Sequence, residues 1–181
     1  MLYEICLELG INELTFYGFT HDNTKRPQVQ REAFQKACVK AVDLLSNRDA
    51  SLLVIGDYSS PSFPAELKPY IKRQVFGKGL VQINFLVNYG WKWDLEYVFK
   101  NSYADKKLSP QGLIDSIASA DISRVDLIVR WGGCRRLSGF LPVQSIYADF
   151  YIVDDFWPDF KPEHFYNALH WYETQDVTLG G

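Results

Sequence analysis

From Arg130 to Ser138 the sequence reads R-W-G-G-C-R-R-L-S, with Arg130, Arg135, Arg136, two adjacent glycines and a serine close together. The chemistry this suits is anion binding. A guanidinium presents a rigid fork of donors that matches phosphate or carboxylate oxygens. Gly132 and Gly133 let backbone N–H groups come close to an anion. Ser138 falls where a helix would start, so its hydroxyl and the first unsatisfied N–H groups could hold a further oxygen. On motif alone, a serine cap beside two solvated arginines is an equally good reading. Cys134 sits next to Arg135, a setting that favours a thiolate, yet no histidine adjoins it, so it is read as non-catalytic. The sequence contains no Walker loop and no G-x-G-x-x-G, which disfavours a nucleotide.

Such donors need rigid elements behind them. Residues 13–19, 51–57, 80–88, 125–130 and 149–155 read as strands, and several of them are apolar on nearly every position, as expected of parallel strands covered on both faces. Residues 28–46 place Ala33, Phe34, Ala37, Cys38, Ala41, Val42 and Leu45 on one helical stripe. Further helices are expected over 63–76, 93–101, 109–119, 138–148 and 162–172, with Pro64, Pro110 and Pro162 near first turns, where a missing N–H costs little. The alternation predicts an α/β fold with an open, mostly parallel sheet flanked by helices. In such a sheet ligands sit at the carboxyl ends of the strands, which here lead into THDNTKRP (20–27), YSSPSFP, YGWKW and the arginine stretch.

With 181 residues, 47% of them hydrophobic, the chain can bury one sizeable core, and a single domain over 1–181 is expected. A net charge of -3 argues against a general nucleic-acid binder, whose affinity comes from clustered Lys and Arg. Any anion site is therefore local. Cys6, Cys38 and Cys134 have neither disulfide-framework nor zinc spacing, so a reducing compartment is the default. No apolar run has the length of a membrane span, and MLYEICLELGIN lacks a signal-peptide layout. A cytoplasmic protein is expected, with a lipid substrate able to bring it to a membrane surface.

The tract DLIVRWGGCRRLSGFLPVQSIYADFYIVDDFWPDF (126–160) resembles the C-terminal signature of cis-prenyltransferases, the undecaprenyl diphosphate synthase family. ELTFYGFTHDNTKRP (13–27), VIGD (54–57) and LVNYG (86–90) are similar to that family's other blocks in the same order. The resemblance implies condensation of isopentenyl diphosphate with an allylic prenyl diphosphate, assisted by Mg2+, in a homodimer or a heteromer of like chains with an apolar tunnel for the product. By resemblance, Arg130, Arg136 and Ser138 would hold the isopentenyl diphosphate head group. Asp149 would be the magnesium ligand, standing where the family has a glutamate. Asn23 would act in proton removal and allylic positioning, and Arg26 matches a family arginine. Read from the residues alone, Asn23 could equally make an Asx turn and Asp149 could end a strand.

The departures matter as much. The family's opening strand, its Asp-Gly-Asn loop and the basic residues that hold the allylic diphosphate have no counterpart, and no Asp-Gly pair occurs in the sequence. The expectation is that a full reading frame begins upstream, and that the chain by itself does not turn over. Thr24 stands for a family tryptophan, Trp131 for a threonine, Cys134 for an acidic residue and Gln30 for a glutamate; Thr178 replaces the arginine of an Arg-x-Gly ending that places Gly180 at its glycine. Gly18, Phe16 and Phe85 are read as tunnel positions that affect product length. His21 is placed near Asn23, whereas His164 and His170 are read as structural or exposed. The alternatives are a non-catalytic subunit of a heteromeric synthase, a prenyl diphosphate binder without turnover, and an atypical condensation of two allylic diphosphates.

Overall fold

The computed structural model describes residues 1–101 and 109–175; Thr178 and Gly180 lie outside them. Contacts divide the chain into two compact units, one spanning Tyr3–Ile122 and the other Ser123–Gly181 together with Met1–Leu2. Each is described by itself.

The larger unit is built on a four-stranded sheet of order β1-β4-β2-β3, made by β1 (Glu13–Thr20), β4 (Val81–Tyr89), β2 (Ala50–Ile55) and the short β3 (Gln74–Val75). β1, β4 and β2 run parallel and only β3 is antiparallel. The mostly parallel α/β class read from the alternation is thus the class observed. β2 is buried at every position and β4 at all but Gln82, which is why both read as unbroken apolar runs rather than alternating ones. The core holds Phe19, Leu52, Val54, Ile83, Phe85 and Val87, with Phe16 stacked on Phe85 at 5.1 Å.

A buried polar ladder crosses this sheet. Asn84, fully buried in the middle of β4, donates to Glu13 Oε1 at 2.7 Å and Thr15 Oγ1 at 3.0 Å and accepts from Arg73 Nη2 at 2.8 Å. Arg73 also donates to the Ser51 carbonyl, so one network joins β1, β4 and β2. Burial pulls the Arg73 guanidinium below its ordinary range, while Glu13 and Asp121 pull it back up.

Of the helices, α1 (Leu2–Glu8) and α2 (Gln28–Ser46) come first. On α2, Cys38 and Val42 are buried, whereas Ala33, Phe34 and Ala37 are exposed, so the expected stripe packs only in its later part. Gly18 is not an open position: a Cβ there would meet Cys38 Sγ at 2.7 Å. The helix expected over 63–76 is a short 3₁₀ helix, Ala65–Tyr70, followed by β3. Pro69 lacks the N–H for a fifth-residue bond and its ring crowds the preceding turn. α3 (Trp91–Asn101) forms as expected, but the helix expected over 109–119 shrinks to α4 (Pro110–Ile114). Ser119 leaves the helical path to donate both its N–H and its hydroxyl to buried Asp94, which also takes the Tyr89 phenol.

The second unit contains a parallel pair, β5 (Leu127–Trp131) and β6 (Asp149–Val153), covered by α5 (Pro162–Glu173). The helix expected over 138–148 does not form, and the chain makes successive turns there. Ser138 (φ 52), Gly139 (φ 78) and Leu141 (φ 31) all have left-handed backbone, which a right-handed helix excludes. Pro142 then biases the residue before it away from helix.

Burial pushes the thiols of Cys6 and Cys38 up to about 11, so at pH 8 the reactive thiolate is scarce in the folded state and returns on unfolding. A thiol-reactive reagent at pH 8 is expected to label Cys134 readily, and Cys6 and Cys38 only after denaturant is added. Equal labelling of all three in the native protein would contradict this core.

Candidate functional site

In the larger unit the carboxyl ends of β1, β4 and β2 lie along one edge of the sheet, because the strands are parallel neighbours. β1 ends in a 3₁₀ turn, His21–Lys25, closed by a reciprocal cap: the Asn23 Oδ1 accepts the Thr20 N–H at 2.9 Å, and the Asn23 N–H donates to Thr20 Oγ1 at 3.2 Å. Asn23 thus has a local role, but as the far member of a capping box rather than in the Asx turn that was one reading of it. It leaves the amide nitrogen as the end of the side chain suited to a ligand. Arg26 is exposed, with its guanidinium 5.2 Å over the Phe34 ring.

Two residues here carried no role in the sequence reading. Arg31, in the first turns of α2, reaches the Thr24 carbonyl through Nη1 at 3.5 Å, and its Nε is buried with no partner among the described residues. Asn88 is fully buried with φ 52 at the end of β4. Its Nδ2 donates to the Asp57 carbonyl at 3.1 Å and its own carbonyl accepts the Asp57 N–H at 3.2 Å. The loop after β2 is thereby tied to the end of β4. Gly56 permits this approach, since any Cβ there would collide with the Val87 carbonyl oxygen. The signal in the sequence was an asparagine at the carboxyl end of an otherwise apolar strand.

In the second unit, strand alternation sorts the proposed ligands onto two faces. Arg130 pairs with Ile152 and Trp131 with Val153 in the β5–β6 register. Tyr151 packs on Trp171 of α5 at 5.5 Å, so Asp149, Tyr151, Val153 and Trp131 face α5, while Arg130, Phe150 and Ile152 face the other way. That other face holds an open groove of about 530 Å³ with Arg135, Arg136 and Leu137 on its rim and Ser145, Ala148, Phe150 and Ile152 beneath. Two guanidiniums thus stand over an apolar floor. The Arg130 Nε and the Ser145 Oγ are buried without a partner among the described residues, and an unmatched buried donor costs about 1–3 kcal/mol.

Asp149 opens β6 on the α5 side, its N–H bonded to the Asp126 carbonyl at 2.9 Å. Burial first, then the carboxylates of Asp126 and Asp149, raise the Tyr172 phenol above its ordinary range against the lowering pull of Arg124. Ser138 is exposed in a left-handed turn, so it does not cap a helix, and an oxygen held there would meet its hydroxyl without helical N–H groups. Among the described residues no three or more His, Cys, Asp or Glu come together as a metal cluster, and no helix is long and apolar enough to cross a membrane.

The family described as "Putative undecaprenyl diphosphate synthase" matches residues 1–180. The ditrans,polycis-undecaprenyl-diphosphate synthase ((2E,6E)-farnesyl-diphosphate specific) of Salmonella paratyphi A is 31% identical over 188 residues, covering 95% of this chain and 73% of that protein. Its namesake from Escherichia coli K12 is 30% identical over 187 residues, with the same shares covered. Among solved structures, a "probable undecaprenyl diphosphate synthase" from Campylobacter jejuni superimposes with a TM-score of 0.81 at 20% identity, covering 99% of this chain and 88% of that one. Lavandulyl diphosphate synthase from Lavandula x intermedia, in complex with dimethylallyl diphosphate, follows the same fold with a TM-score of 0.72 at 21% identity, over 96% and 81%.

Replacing Asn88 by Asp removes the donor to the Asp57 carbonyl and sets a carboxylate against it. The expected outcome is a loss of about 2 kcal/mol or more in urea unfolding, because the substitution loses the bond to the Asp57 carbonyl and puts a carboxylate at the fully buried position of Asn88. A variant as stable as the parent would show that the β4–Asp57 tie contributes nothing.

Proposed function

We propose that this chain, which belongs to the undecaprenyl diphosphate synthase family of cis-prenyltransferases, binds the diphosphate of isopentenyl diphosphate in the groove rimmed by Arg135 and Arg136 and serves its condensation with an allylic prenyl diphosphate. The observation that carries the reading is one face of β5–β6, the face of Arg130, that holds a groove in which Arg135 and Arg136 meet Phe150, Ile152 and Ala148. A diphosphate needs several fixed cations, and a five-carbon tail needs dry contact. Arg136 and Arg130 take phosphate oxygens in this reading, and Ser138 donates its hydroxyl from the exposed turn. Asn23 and Arg26 serve the allylic substrate at the carboxyl end of β1, with the Asn23 carbonyl already engaged and its amide nitrogen turned to use. The two compact units act as one domain.

Magnesium is held by one or two carboxylates together with phosphate oxygens and water. Asp149, beside Asp126, is a ligand of that type, and a bound ion would neutralise charge on a departing diphosphate. Its position does not match its type. Asp149 faces α5 while the arginines line the opposite face, so within one chain's β5–β6 pair the carboxylate and the groove do not converge. The reading places the protein in the cytoplasm as a homodimer or a heteromer with a homologous chain, without nucleic acid, meeting membranes only through its lipid product.

The alternative within the family, a non-catalytic subunit that supports an active homologue, is separated from the catalyst by experiment. Titration calorimetry with isopentenyl diphosphate tests the groove. Arg136→Ala is expected to weaken binding by about 1.5 to 3 kcal/mol, roughly ten- to 150-fold, the worth of one charge-assisted contact; an unchanged affinity would remove the reading. Labelled isopentenyl transfer with a co-expressed homologue separates catalyst from subunit, and sizing the products made from dimethylallyl diphosphate alone tests condensation of two allylic units.

Asp149 has its own test. Because the carboxylate lies on the α5 face, Asp149→Asn is expected to leave magnesium-free pyrophosphate affinity within about twofold of the parent, whereas a carboxylate inside the groove would repel the anion and its removal would tighten binding. Marked tightening would place Asp149 among the arginines.

A further inference from the structure

Trp131 ends β5 on the face opposite Arg130, and its indole N–H donates to His164 Nδ1 at 3.3 Å. The same nitrogen accepts the Lys161 backbone N–H at 3.4 Å. A ring nitrogen that accepts two N–H groups carries no proton of its own, so the imidazole proton sits on Nε2. Nε2 lies 3.1 Å from Asp155 Oδ2, which completes a directed chain from the Asp155 carboxylate through His164 to the Trp131 indole. Asp155 also accepts the Gly132 N–H on its backbone carbonyl at 2.8 Å. One residue thus holds both the indole and the glycine at which the arginine loop leaves the sheet.

The indole has little room to move. Trp157 meets it edge-on at 4.8 Å and Phe160 lies 5.9 Å away. The side chain of His164 is only 13% exposed. The loop beyond is the opposite kind of segment: Gly132 (φ 82) and Gly133 (φ 64) occupy backbone regions open to few other residues, and Arg135 and Arg136 are exposed. A glycine pair gives the loop its turn but supplies no side chain to fix it. What fixes its base is the hydrogen-bonded set on either side, Gly132 to Asp155, Gly133 to the Val153 carbonyl at 3.1 Å, and Trp131 to His164.

We propose that His164 is a positioning residue for anion binding: with Asp155 it locks the Trp131 indole, and so holds the end of β5 and the glycine hinge in the geometry that presents Arg135 and Arg136 to a diphosphate. The inference rests on the reading of Arg136 as a diphosphate ligand. Locking matters because a loop already held in its binding shape loses less freedom when the anion arrives. An aromatic cluster serving packing alone would need the rings but not a histidine with a directed proton.

The experiment measures two things in the parent, His164→Ala, His164→Gln, Trp131→Phe and Arg136→Ala proteins: pyrophosphate affinity by calorimetry, and amide hydrogen exchange at Gly132 and Gly133. In addition, long-range ¹⁵N correlation of the His164 ring in the parent is expected to show the proton on Nε2. His164→Ala is expected to weaken pyrophosphate binding about tenfold, the scale seen when a group that orients a ligand-binding side chain is lost, and to speed exchange at both glycines. His164→Gln, which can accept from the indole and donate to Asp155, should recover most of the affinity and protection. Trp131→Phe keeps a ring in place without the N–H and should behave like His164→Ala; it carries the test should His164→Ala not fold. Affinity and glycine exchange unchanged in both His164→Ala and Trp131→Phe would overturn the proposal, as would a proton found on Nδ1. Should the parent and Arg136→Ala bind pyrophosphate equally, the diphosphate reading of the groove fails, and the positioning role then stands or falls on glycine exchange alone.

Discussion

The arginine site depends on the hydrogen-bonded register between β5 and β6. Pairing Arg130 with Ile152 and Trp131 with Val153 decides, through the two-residue period of a strand, which side chains share a face. A slip of one residue would turn Arg130 toward α5 and send Trp131 into the groove. The register is pinned at the carboxyl end by Gly132 and Gly133, whose N–H groups continue the ladder onto the Asp155 and Val153 carbonyls. It is pinned at the other end by Asp149 bonding back to Asp126. Cationic groove and aromatic face are therefore two consequences of one alignment.

The larger unit solves a related problem with a different device. Its parallel strands are covered on both faces, yet Asn84 sits fully buried in the central strand. The asparagine amide is matched by Glu13, Thr15 and Arg73, and a matched network of this kind is tolerated where a lone amide would not be. Because its partners come from different strands, the ladder also aligns β1, β4 and β2. With their carboxyl ends along one edge, the turn containing Asn23 and the Asp57–Asn88 tie are fixed by backbone and buried contacts instead of by flexible surface loops.

Charge is handled locally in both units. The chain carries a net charge of -3, so anion affinity cannot come from a general positive field. It has to come from guanidiniums held at one place, with desolvated donors such as the Arg130 and Arg31 Nε atoms. Such groups are costly in an apolar setting until an acceptor arrives, which makes them better markers of a ligand than exposed arginines on any surface. Several of the acidic residues have their own partners: Asp155 is engaged with His164, Asp94 with Tyr89 and Ser119, and Asp149 faces α5.

Much of this was legible in residues 13–19, 28–46, 80–88 and 162–172, where apolar period and proline placement are local properties that hardly depend on what packs against them. The fold class followed from that alternation, and the donors of the arginine stretch were visible as residue types. Three expected helices were misjudged because their endings are decided by distant partners or by special backbone. Ser119 is drawn off by Asp94, the 138–148 segment is held by left-handed residues, and the 3₁₀ helix at Ala65–Tyr70 gives way to β3. The tertiary structure alone decided which face each ligand occupies. Types and spacing along a chain carry no information about strand register, and register is what separates Asp149 from the arginines and brings Trp131, His164 and Asp155 into one hydrogen-bonded line.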